Sequence, residues 1–420
     1  MKHAIIIVAI LSIAAVGQTE TSSLRVEEVF SVETSEELEA SLTDGYPMPW
    51  LAAILEDETI PEEDRYWLDC RVRAVIAQDL HLFYDREGNP VHIEADMIKP
   101  GENFWRENFI IDPPGSVFDY ESSDLPSGMT SQPGYVVNRF GEKIGEIAMT
   151  HERIRLSRDA SLGIYRSEST GITANNACLL YLDGSFTEIP IDPVFLQFAV
   201  SDDGSMAVYY SRLTRDLEGS ERRLYAFDHE GNTIYENIMP YPHLSSDCAP
   251  LISPDTKYIA LAMRAGEVRL LNASDGKTIH IWENLTGNYM YFPPDSRHLC
   301  VSGVRGAYIF ECESGRAVFE HSAPPNTATR QETYDALSCS NNLATSFYTT
   351  KVRVLDERTY SGVCLDRNGS VIYTFPSWSR FLPSPSGAIL LDSSIDIWRF
   401  GRSRNGSSTP FSVLLTREVR

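Results

Sequence analysis

The amino-acid sequence predicts an all-β protein, a seven-bladed β-propeller of four-stranded antiparallel blades preceded by a small helical N-terminal segment. A short polar turn followed at once by an apolar strand occurs seven times, at successive spacings of 45, 44, 52, 40, 45 and 46 residues. Self-similarity at a period of about 40 to 50 residues, with strands in each unit, is typical of propellers. The polar turns begin at Asp112, Ser157, Ser201, Ser253, Pro293, Ser338 and Ser384.

Residues 1–17 have the features of a secretory signal peptide. The apolar run Ala4–Val16 spans 13 residues, and the small residues Ala15 and Gly17 occupy the −3 and −1 positions of a cleavage site. As a helix this run would cover about 20 Å, less than the roughly 30 Å of a bilayer core. We therefore expect cleavage near Gly17, export to the periplasm or the extracellular space, and no membrane insertion.

Residues 18–82 are predicted to form an acidic helical cap. Residues 20–69 contain fifteen carboxylates and only two arginines. The clearest helix begins at Pro61, a residue favoured at the first helical position. Its apolar residues recur at three- and four-residue steps, which predicts one apolar face; they are Leu68, Val72, Val75, Ile76 and Leu80. The pattern then becomes alternating, which predicts linker strands over residues 83–106.

The propeller is predicted over residues 107–416, followed by a tail at 417–420. Each unit consists of strand a, the polar turn, strand b, a variable loop, strand c, a glycine turn and strand d. Glycine supplies the positive φ that a tight hairpin turn requires. The seven turn glycines are Gly141, Gly184, Gly231, Gly276, Gly315, Gly369 and Gly401.

The sixth unit has two possible registers. Residues 352–355 could form strand c, but residues 365–373 match the third unit better. We prefer the second register, which makes residues 350–360 part of a long hairpin between strands b and c.

Four of the polar turns carry a resemblance to a known repeat family. The turns SPDTK, PPDSR, SDDGS and SPSGA resemble the S-P-D-G-K turn of the WD-like repeats found in TolB-type periplasmic proteins and in the propeller domains of exported peptidases. The resemblance extends over about residues 107–416 and implies the fold. It implies little about activity, because this fold has many unrelated functions. The final Trp-Asp of true WD repeats is missing.

No catalytic, metal or cofactor site is expected from the motifs. His243, Ser245, Ser246 and Asp247 are the residue types of a hydrolytic triad, but they lie in one connecting loop and lack a G-x-S-x-G elbow. No HxH, HExxH or CxxC motif occurs. The Asp-containing turns lack the ligand spacing of a calcium loop and are explained by turn chemistry.

The cysteines are expected to be buried thiols, because most of them lie in apolar strand patterns. A cross-strand disulfide between Cys300 and Cys312 is the alternative, because these two residues flank a predicted hairpin. The seven cysteines are Cys70, Cys178, Cys248, Cys300, Cys312, Cys339 and Cys364.

The long connections b–c and d–a share one rim of the predicted propeller, and long loops on a rigid scaffold commonly bind ligands. The candidate binding residues on this rim are Arg212, Arg215, Arg222, Arg223, His243 and Arg330. A net charge of −23 disfavours nucleic acid as a partner. We therefore expect an exported, monomeric, non-enzymatic protein that binds another protein or a peptide.

Two alternatives stay open. One is a metal-dependent propeller enzyme, lactonase-like or lyase-like, acting on a small molecule. It would need several Asp, Glu, Asn or His residues on the inner a strands. The a strands at 195–200, 248–252 and 289–292 are apolar apart from Gln197, which favours binding. The other alternative is a purely structural component of the cell envelope.

Overall fold

The computed structural model describes parts of the chain between Leu24 and Glu418. The described residues are 24–32, 35–43, 45–80, 82–91, 109–110, 117–120, 134–138, 140–147, 155–157, 161–166, 177–181, 183, 185–189, 195–212, 222–239, 250–263, 266–285, 289–304, 306–322, 330–343, 345–354, 357–366, 368, 370–375, 381–393 and 411–418. The predicted signal peptide therefore lies outside the described residues.

The described residues form seven four-stranded antiparallel sheets, numbered 1 to 7 along the chain. Sheet 1 contains β4 (Phe109–Ile110), β5 (Val117–Tyr120), β6 (Gly134–Asn138) and β7 (Lys143–Ile147). Sheet 2 contains β8 (Arg155–Leu156), β9 (Gly163–Arg166), β10 (Ala177–Leu180) and β11 (Phe186–Ile189). Sheet 3 contains β12 (Phe195–Val200), β13 (Met206–Arg212), β14 (Arg222–Asp228) and β15 (Thr233–Ile238). The predicted all-β class with four strands per repeat is confirmed.

The remaining sheets follow the same order, with one exception in sheet 7. Sheet 4 contains β16 (Leu251–Ile252), β17 (Tyr258–Met263), β18 (Glu267–Asn272) and β19 (Thr278–Glu283). Sheet 5 contains β20 (Tyr289–Tyr291), β21 (His298–Gly303), β22 (Gly306–Glu311) and β23 (Ala317–Ser322). Sheet 6 contains β24 (Arg330–Cys339), β25 (Thr345–Val354), β26 (Glu357–Asp366) and β27 (Val371–Phe375). Sheet 7 contains β28 (Phe381–Pro383), β29 (Ile389–Ser393), β30 (Phe411–Glu418) and, as its fourth strand, β1 (Leu24–Val32).

Strand β1 corrects the prediction that residues 18–82 form a helical segment. It pairs antiparallel with β30 from Leu24 opposite Glu418 to Val32 opposite Phe411. Strand β30 also extends into the predicted tail at 417–420. The local acidic composition of residues 24–32 gave no indication of a strand, because strand formation depends on the partner edge more than on intrinsic propensity. Here the partner edge lies at the opposite end of the sequence.

The helical module, residues 35–91, follows β1. It consists of α1 (Ser35–Ser41), α2 (Pro49–Leu55), α3 (Glu62–Leu80) and a short hairpin of β2 (Phe83–Tyr84) and β3 (Pro90–Val91). The predicted helix after Pro61 is confirmed, and Leu68, Val72 and Ile76 on its apolar face are completely buried. Among the described residues no helix is long and apolar enough to cross a membrane.

The core lies between successive sheets, and strand alternation explains how each sheet serves two neighbours. On β13, Ala207 and Tyr209 pack with residues of sheet 2, whereas Val208 and Tyr210 pack with residues of sheet 4. Further clusters join sheets 4 and 5, 5 and 6, and 6 and 7. The other face of sheet 7 packs against the helical module through Ile389, Leu391, Val413 and Leu415.

A buried serine explains why the polar turn recurs. The Ser201 hydroxyl accepts a hydrogen bond from the Met206 backbone N–H at 2.9 Å, and the Ser201 backbone N–H donates to the Met206 carbonyl at 2.9 Å. Ser201 therefore bonds both backbone groups of Met206, which would otherwise lack hydrogen-bond partners where the two strands separate at the turn. The same two bonds join Ser157 to Leu162, Ser253 to Tyr258 and Ser384 to Ile389.

Sheet 6 has the longer hairpin that the preferred register predicts. Strands β24, β25 and β26 each span 10 residues, whereas β27 spans 5. Strand β25 pairs with β26 from Thr345 opposite Asp366 to Val354 opposite Glu357. Strand c therefore leads into the turn after Asp366, and the alternative with strand c at residues 352–355 is wrong.

The alternative disulfide between Cys300 and Cys312 is excluded, because the two residues lie on opposite faces of sheet 5. Cys300 packs in the cluster between sheets 5 and 6, and Cys312 packs in the cluster between sheets 4 and 5. The six described cysteines are all buried thiols.

The helical module contacts both sheet 7 and sheet 1, and most of the predicted linker at residues 83–106 lies outside the described residues. At the described glycine turns of sheets 3, 4 and 5, the backbone approaches the fourth strand of the preceding sheet: a Cβ on Gly315 of sheet 5 would lie 2.6 Å from Nδ1 of His280 in β19. In sheet 1 the equivalent Gly141 approaches the module, where a Cβ would lie 3.1 Å from Cβ of Phe83 and 3.2 Å from Cγ1 of Val91. The β2–β3 hairpin thus occupies, relative to sheet 1, the position of a preceding fourth strand.

Candidate functional site

Three of the predicted binding residues meet at one end of sheet 3. Arg212 ends β13 and Arg222 begins β14, and the two are direct register partners. Arg223 is the next residue of β14. Arg330 begins β24, at the equivalent end of sheet 6. Arg215 and His243 lie outside the described residues.

The opposition of Arg212 and Arg222 has an electrostatic consequence. Like charges at directly opposed positions of an antiparallel pair are destabilising. Strand alternation also places both positions on the face of sheet 3 to which Tyr210 and Leu224 belong, and that face packs against sheet 4. An anionic group at this end of the sheet 3–sheet 4 interface would relieve the repulsion.

Arg223 is partly neutralised within the chain. Its guanidinium forms an ion pair with the Glu236 carboxylate of β15. The two side chains are 30% and 39% exposed. A pair this exposed contributes only about 0–1 kcal/mol. Arg223 therefore contributes less positive charge to a partner than its position suggests.

A buried ion pair, Glu267 with Arg269, lies on the facing sheet. Nε of Arg269 donates a hydrogen bond to the Glu267 carboxylate. Glu267, Arg269 and Leu271 lie on the same face of β18, because every second residue of a strand shares a face. Leu271 packs against sheet 3. Glu267 stands opposite Met263, at the same end of its sheet as Arg212 in sheet 3. Burying two charges carries a desolvation cost that the pair only partly offsets.

Gln197 and Tyr210 place further polar groups at the same interface. Gln197 on β12 is the register partner of Tyr210 on β13, and the Tyr210 side chain is only 1% exposed. Oε1 of Gln197 is buried and has no hydrogen-bond partner among the described residues. An unsatisfied buried acceptor costs about 1–3 kcal/mol. We refer to Gln197, Tyr210, Glu267 and Arg269 as the polar interface.

Sequence reasoning found part of this site. Gln197 was visible as the polar exception in an apolar strand. Glu267 and Arg269 were missed because an alternation of polar and apolar residues is also the pattern of a solvent-exposed strand face. Only the packing of sheet 4 on sheet 3 shows that their face is buried.

The opposite rim, formed by the polar turns and the glycine turns, is joined by bonds between sheets. The Asp255 backbone N–H of sheet 4 donates to Oγ of Ser296 in sheet 5 at 2.9 Å. The Asp295 backbone N–H of sheet 5 donates to Oδ1 of Asn341 in sheet 6 at 3.0 Å. Each donor is the third residue of its turn, and each acceptor is the fourth residue of the next turn. This rim is therefore used for contacts within the chain.

Carboxylates on the same rim accept hydrogen bonds from residues of their own turns. Lys277 donates to Asp275 at 2.8 Å, and this hydrogen bond lowers the pKa of Asp275. Bonds from the hydroxyl and backbone N–H of Ser185 lower the pKa of Asp183 in the same way. Within the part of the chain that the structure describes, no three His, Cys, Asp or Glu residues come close enough to hold a metal ion. Turn chemistry accounts for these aspartates.

Comparison with known proteins adds no relative. No protein-family model matches the chain, and no curated protein matches it.

Proposed function

We propose that this chain is an exported, monomeric, non-enzymatic binding protein that recognises a carboxylate-bearing protein or peptide. The recognition surface is the end of sheets 3 and 4 at which Arg212 and Arg222 lie, together with the adjoining long connections. We further propose that the seven sheets and the helical module close into a ring, a propeller of the WD-like type in which the module takes the place of an eighth blade.

Two equivalent contacts support the ring. On the polar-turn rim, the third residue of the turn in sheets 4 and 5 donates its backbone N–H to a side chain of the next sheet. The turn of sheet 7 donates in the same way from Ser386 to Asp64 of the module, at 3.0 Å. At the glycine turns, Gly141 of sheet 1 approaches the module as Gly231, Gly276 and Gly315 approach the preceding sheet. These contacts support a ring in which the module follows sheet 7 and precedes sheet 1.

The opposed arginines are the observation that carries the binding proposal. Arg212 and Arg222 are directly opposed in register, a placement of like charges that is unfavourable alone and that a bound carboxylate would offset. Arginine binds carboxylates through two parallel hydrogen bonds, which also fixes the orientation of the ligand. Because the net charge of −23 repels extended anionic surfaces, the two arginines would bind a single carboxylate of a partner and not an anionic surface in general.

The polar interface supports the same location. Buried Glu267 holds Arg269 in place, and the unpartnered Oε1 of Gln197 can accept one hydrogen bond from an incoming N–H group. A peptide supplies both a carboxylate for the arginines and N–H groups for Gln197. The alternative of a metal-dependent enzyme needs several polar ligands on the inner a strands, where Gln197 of β12 is the candidate named from the sequence.

The test compares two charge-matched double variants. R212A/R222A and K257A/K277A each remove two cations, the second pair from the opposite rim, where Lys257 and Lys277 are 71% and 81% exposed. A partner is first captured with wild-type protein from the native cell envelope, and its affinity for all three proteins is then measured by calorimetry. Each charged hydrogen bond contributes about 1.5–3 kcal/mol, so R212A/R222A should weaken binding about tenfold or more.

K257A/K277A should bind as the wild type does. Equal affinity of all three proteins would contradict the proposed surface. A divalent metal that copurifies with the wild type and is lost on Gln197→Ala would favour the enzyme alternative.

A further inference from the structure

Two cysteine thiols from neighbouring sheets lie in contact. Cys300 is on β21 of sheet 5, and Cys339 is the last residue of β24 in sheet 6. Their Sγ atoms are 3.3 Å apart, and both residues are completely buried. They share an apolar cluster with Ala307, Ile309, Leu337 and Leu365. This is van der Waals contact between two sulfurs whose sheets already pack together.

We propose that Cys300 and Cys339 form a disulfide bond that joins sheet 5 to sheet 6 when the chain folds in an oxidising compartment. The sequence predicts export, and structural disulfides form and persist in the oxidising compartments that exported proteins reach. This inference is independent of the binding proposal, because neither cysteine lies near Arg212, Arg222 or the polar interface in the register of the sheets.

The oxidant is an exchange disulfide, of a small thiol or of a protein. One cysteine thiolate attacks the exchange disulfide, forms a mixed disulfide and releases one thiol. The second cysteine thiolate then attacks the cysteine sulfur of the mixed disulfide, closes the Cys300–Cys339 bond and releases the second thiol. The two cysteines lose two electrons and two protons, and the exchange disulfide gains both.

Packing selects this pair among the other described cysteines. Cys312 lies on the opposite face of sheet 5, and Cys364 packs between sheets 6 and 7. Burial raises the pKa of each of these two thiols to about 12, which keeps them protonated and unreactive at neutral pH.

Burial also determines when the bond forms. It raises the pKa of Cys339, and contact with Cys300 adds to the effect. Both thiols are completely buried, so an oxidant cannot reach them once the two sheets have packed together. The bond therefore forms while sheet 6 is still docking on sheet 5. Once formed, it is shielded from reductants by the same cluster.

The first test is a thiol count by peptide mapping. The full chain is refolded in a reduced and oxidised glutathione buffer, alkylated in denaturant so that buried thiols also react, and digested without reduction for mass spectrometry. We expect one cross-linked peptide that contains Cys300 and Cys339, with the other five of the seven cysteines alkylated. Seven alkylated cysteines, or a cross-link between any other pair, would overturn the proposal.

The second test compares the melting temperature of protein refolded in the glutathione buffer with that of protein refolded and kept in dithiothreitol, which prevents the shielded bond from forming. Wild type and the control C312A should melt at a lower temperature in the reductant, because reduction releases a constraint on the unfolded chain. The variant C300A/C339A should show the same melting temperature in both buffers. If wild type and C300A/C339A respond equally to the reductant, the proposal is wrong; should the double variant not fold, the peptide map of the wild type still decides.

Discussion

The Asp64 carboxylate, in the first turn of α3, accepts hydrogen bonds from the backbone N–H and the hydroxyl of Ser386, in the polar turn of sheet 7. The two residues are 322 positions apart in the chain, and Asp64 is completely buried. Ser386 holds the turn position whose backbone N–H donates to the next sheet in sheets 4 and 5. Asp64 therefore joins the helical module to the polar turn of sheet 7.

Removal of this carboxylate should destabilise the fold. Asp64→Ala leaves the Ser386 N–H without a partner, which should lower the free energy of unfolding by about 1–3 kcal/mol. Urea unfolding followed by tryptophan fluorescence measures the change. Glu63→Ala is the matched control, because Glu63 is the exposed neighbour in the same helical turn. Equal midpoints for the two variants would show that the Asp64 contact contributes nothing.

Loss of strand β1 should expose the edge of β30. A chain that begins at residue 33 lacks the fourth strand of sheet 7, whereas a chain that begins at residue 18 lacks only the predicted signal peptide. Unpaired edge strands promote association with other chains. We expect the shorter chain to aggregate or melt at a lower temperature, as measured by size-exclusion chromatography and thermal unfolding. Identical behaviour of both chains would contradict the pairing with β30.

The buried turn serines should matter more than their exposed neighbours. Ser201→Ala removes the acceptor of the Met206 N–H in a buried environment, with an expected cost of about 1–3 kcal/mol. Ser205→Ala, in the same turn, removes an exposed hydroxyl that bonds Asp203, and should cost clearly less. Chemical denaturation of both variants provides the comparison, and a larger loss for Ser205→Ala would be inconsistent with the role assigned to Ser201.

The glycine turns should be sensitive to substitution for two separable reasons. Gly315→Ala places a side chain at a φ of +69° and a Cβ 2.6 Å from the His280 ring. Gly45→Ala incurs only the conformational strain, since Gly45 has a φ of +93° and no atom within 4 Å of the added Cβ. Strain at positive φ costs about 1–2 kcal/mol. Gly315→Ala should lower the melting temperature more than Gly45→Ala does. Equal melting temperatures for the two variants would show that sheet 5 does not approach sheet 4 closely.

Local chemistry made the repeat visible in the sequence. The Ser201 turn and the Gly315 turn each depend on bonds and φ values within a few residues, so their residue types recur wherever the turn recurs. The apolar strands beside them alternate because each sheet packs on two neighbours. These features predicted the four-stranded units and the long hairpin of sheet 6, and the three- and four-residue apolar steps predicted the helix after Pro61.

Contacts between distant parts of the chain were decided only by the tertiary structure. Strand β1 pairs with β30, the helical module contacts sheets 7 and 1, and Glu267 and Arg269 are buried. Each of these segments looks locally like an exposed or helical segment. Cys300 likewise meets Cys339 rather than Cys312, because the face of a strand is set by its pairing register and not by the spacing of cysteines along the chain. The sequence thus determined the repeating unit, whose energetics are local, and the tertiary structure decided which units meet, because that depends on pairing and burial across the whole chain.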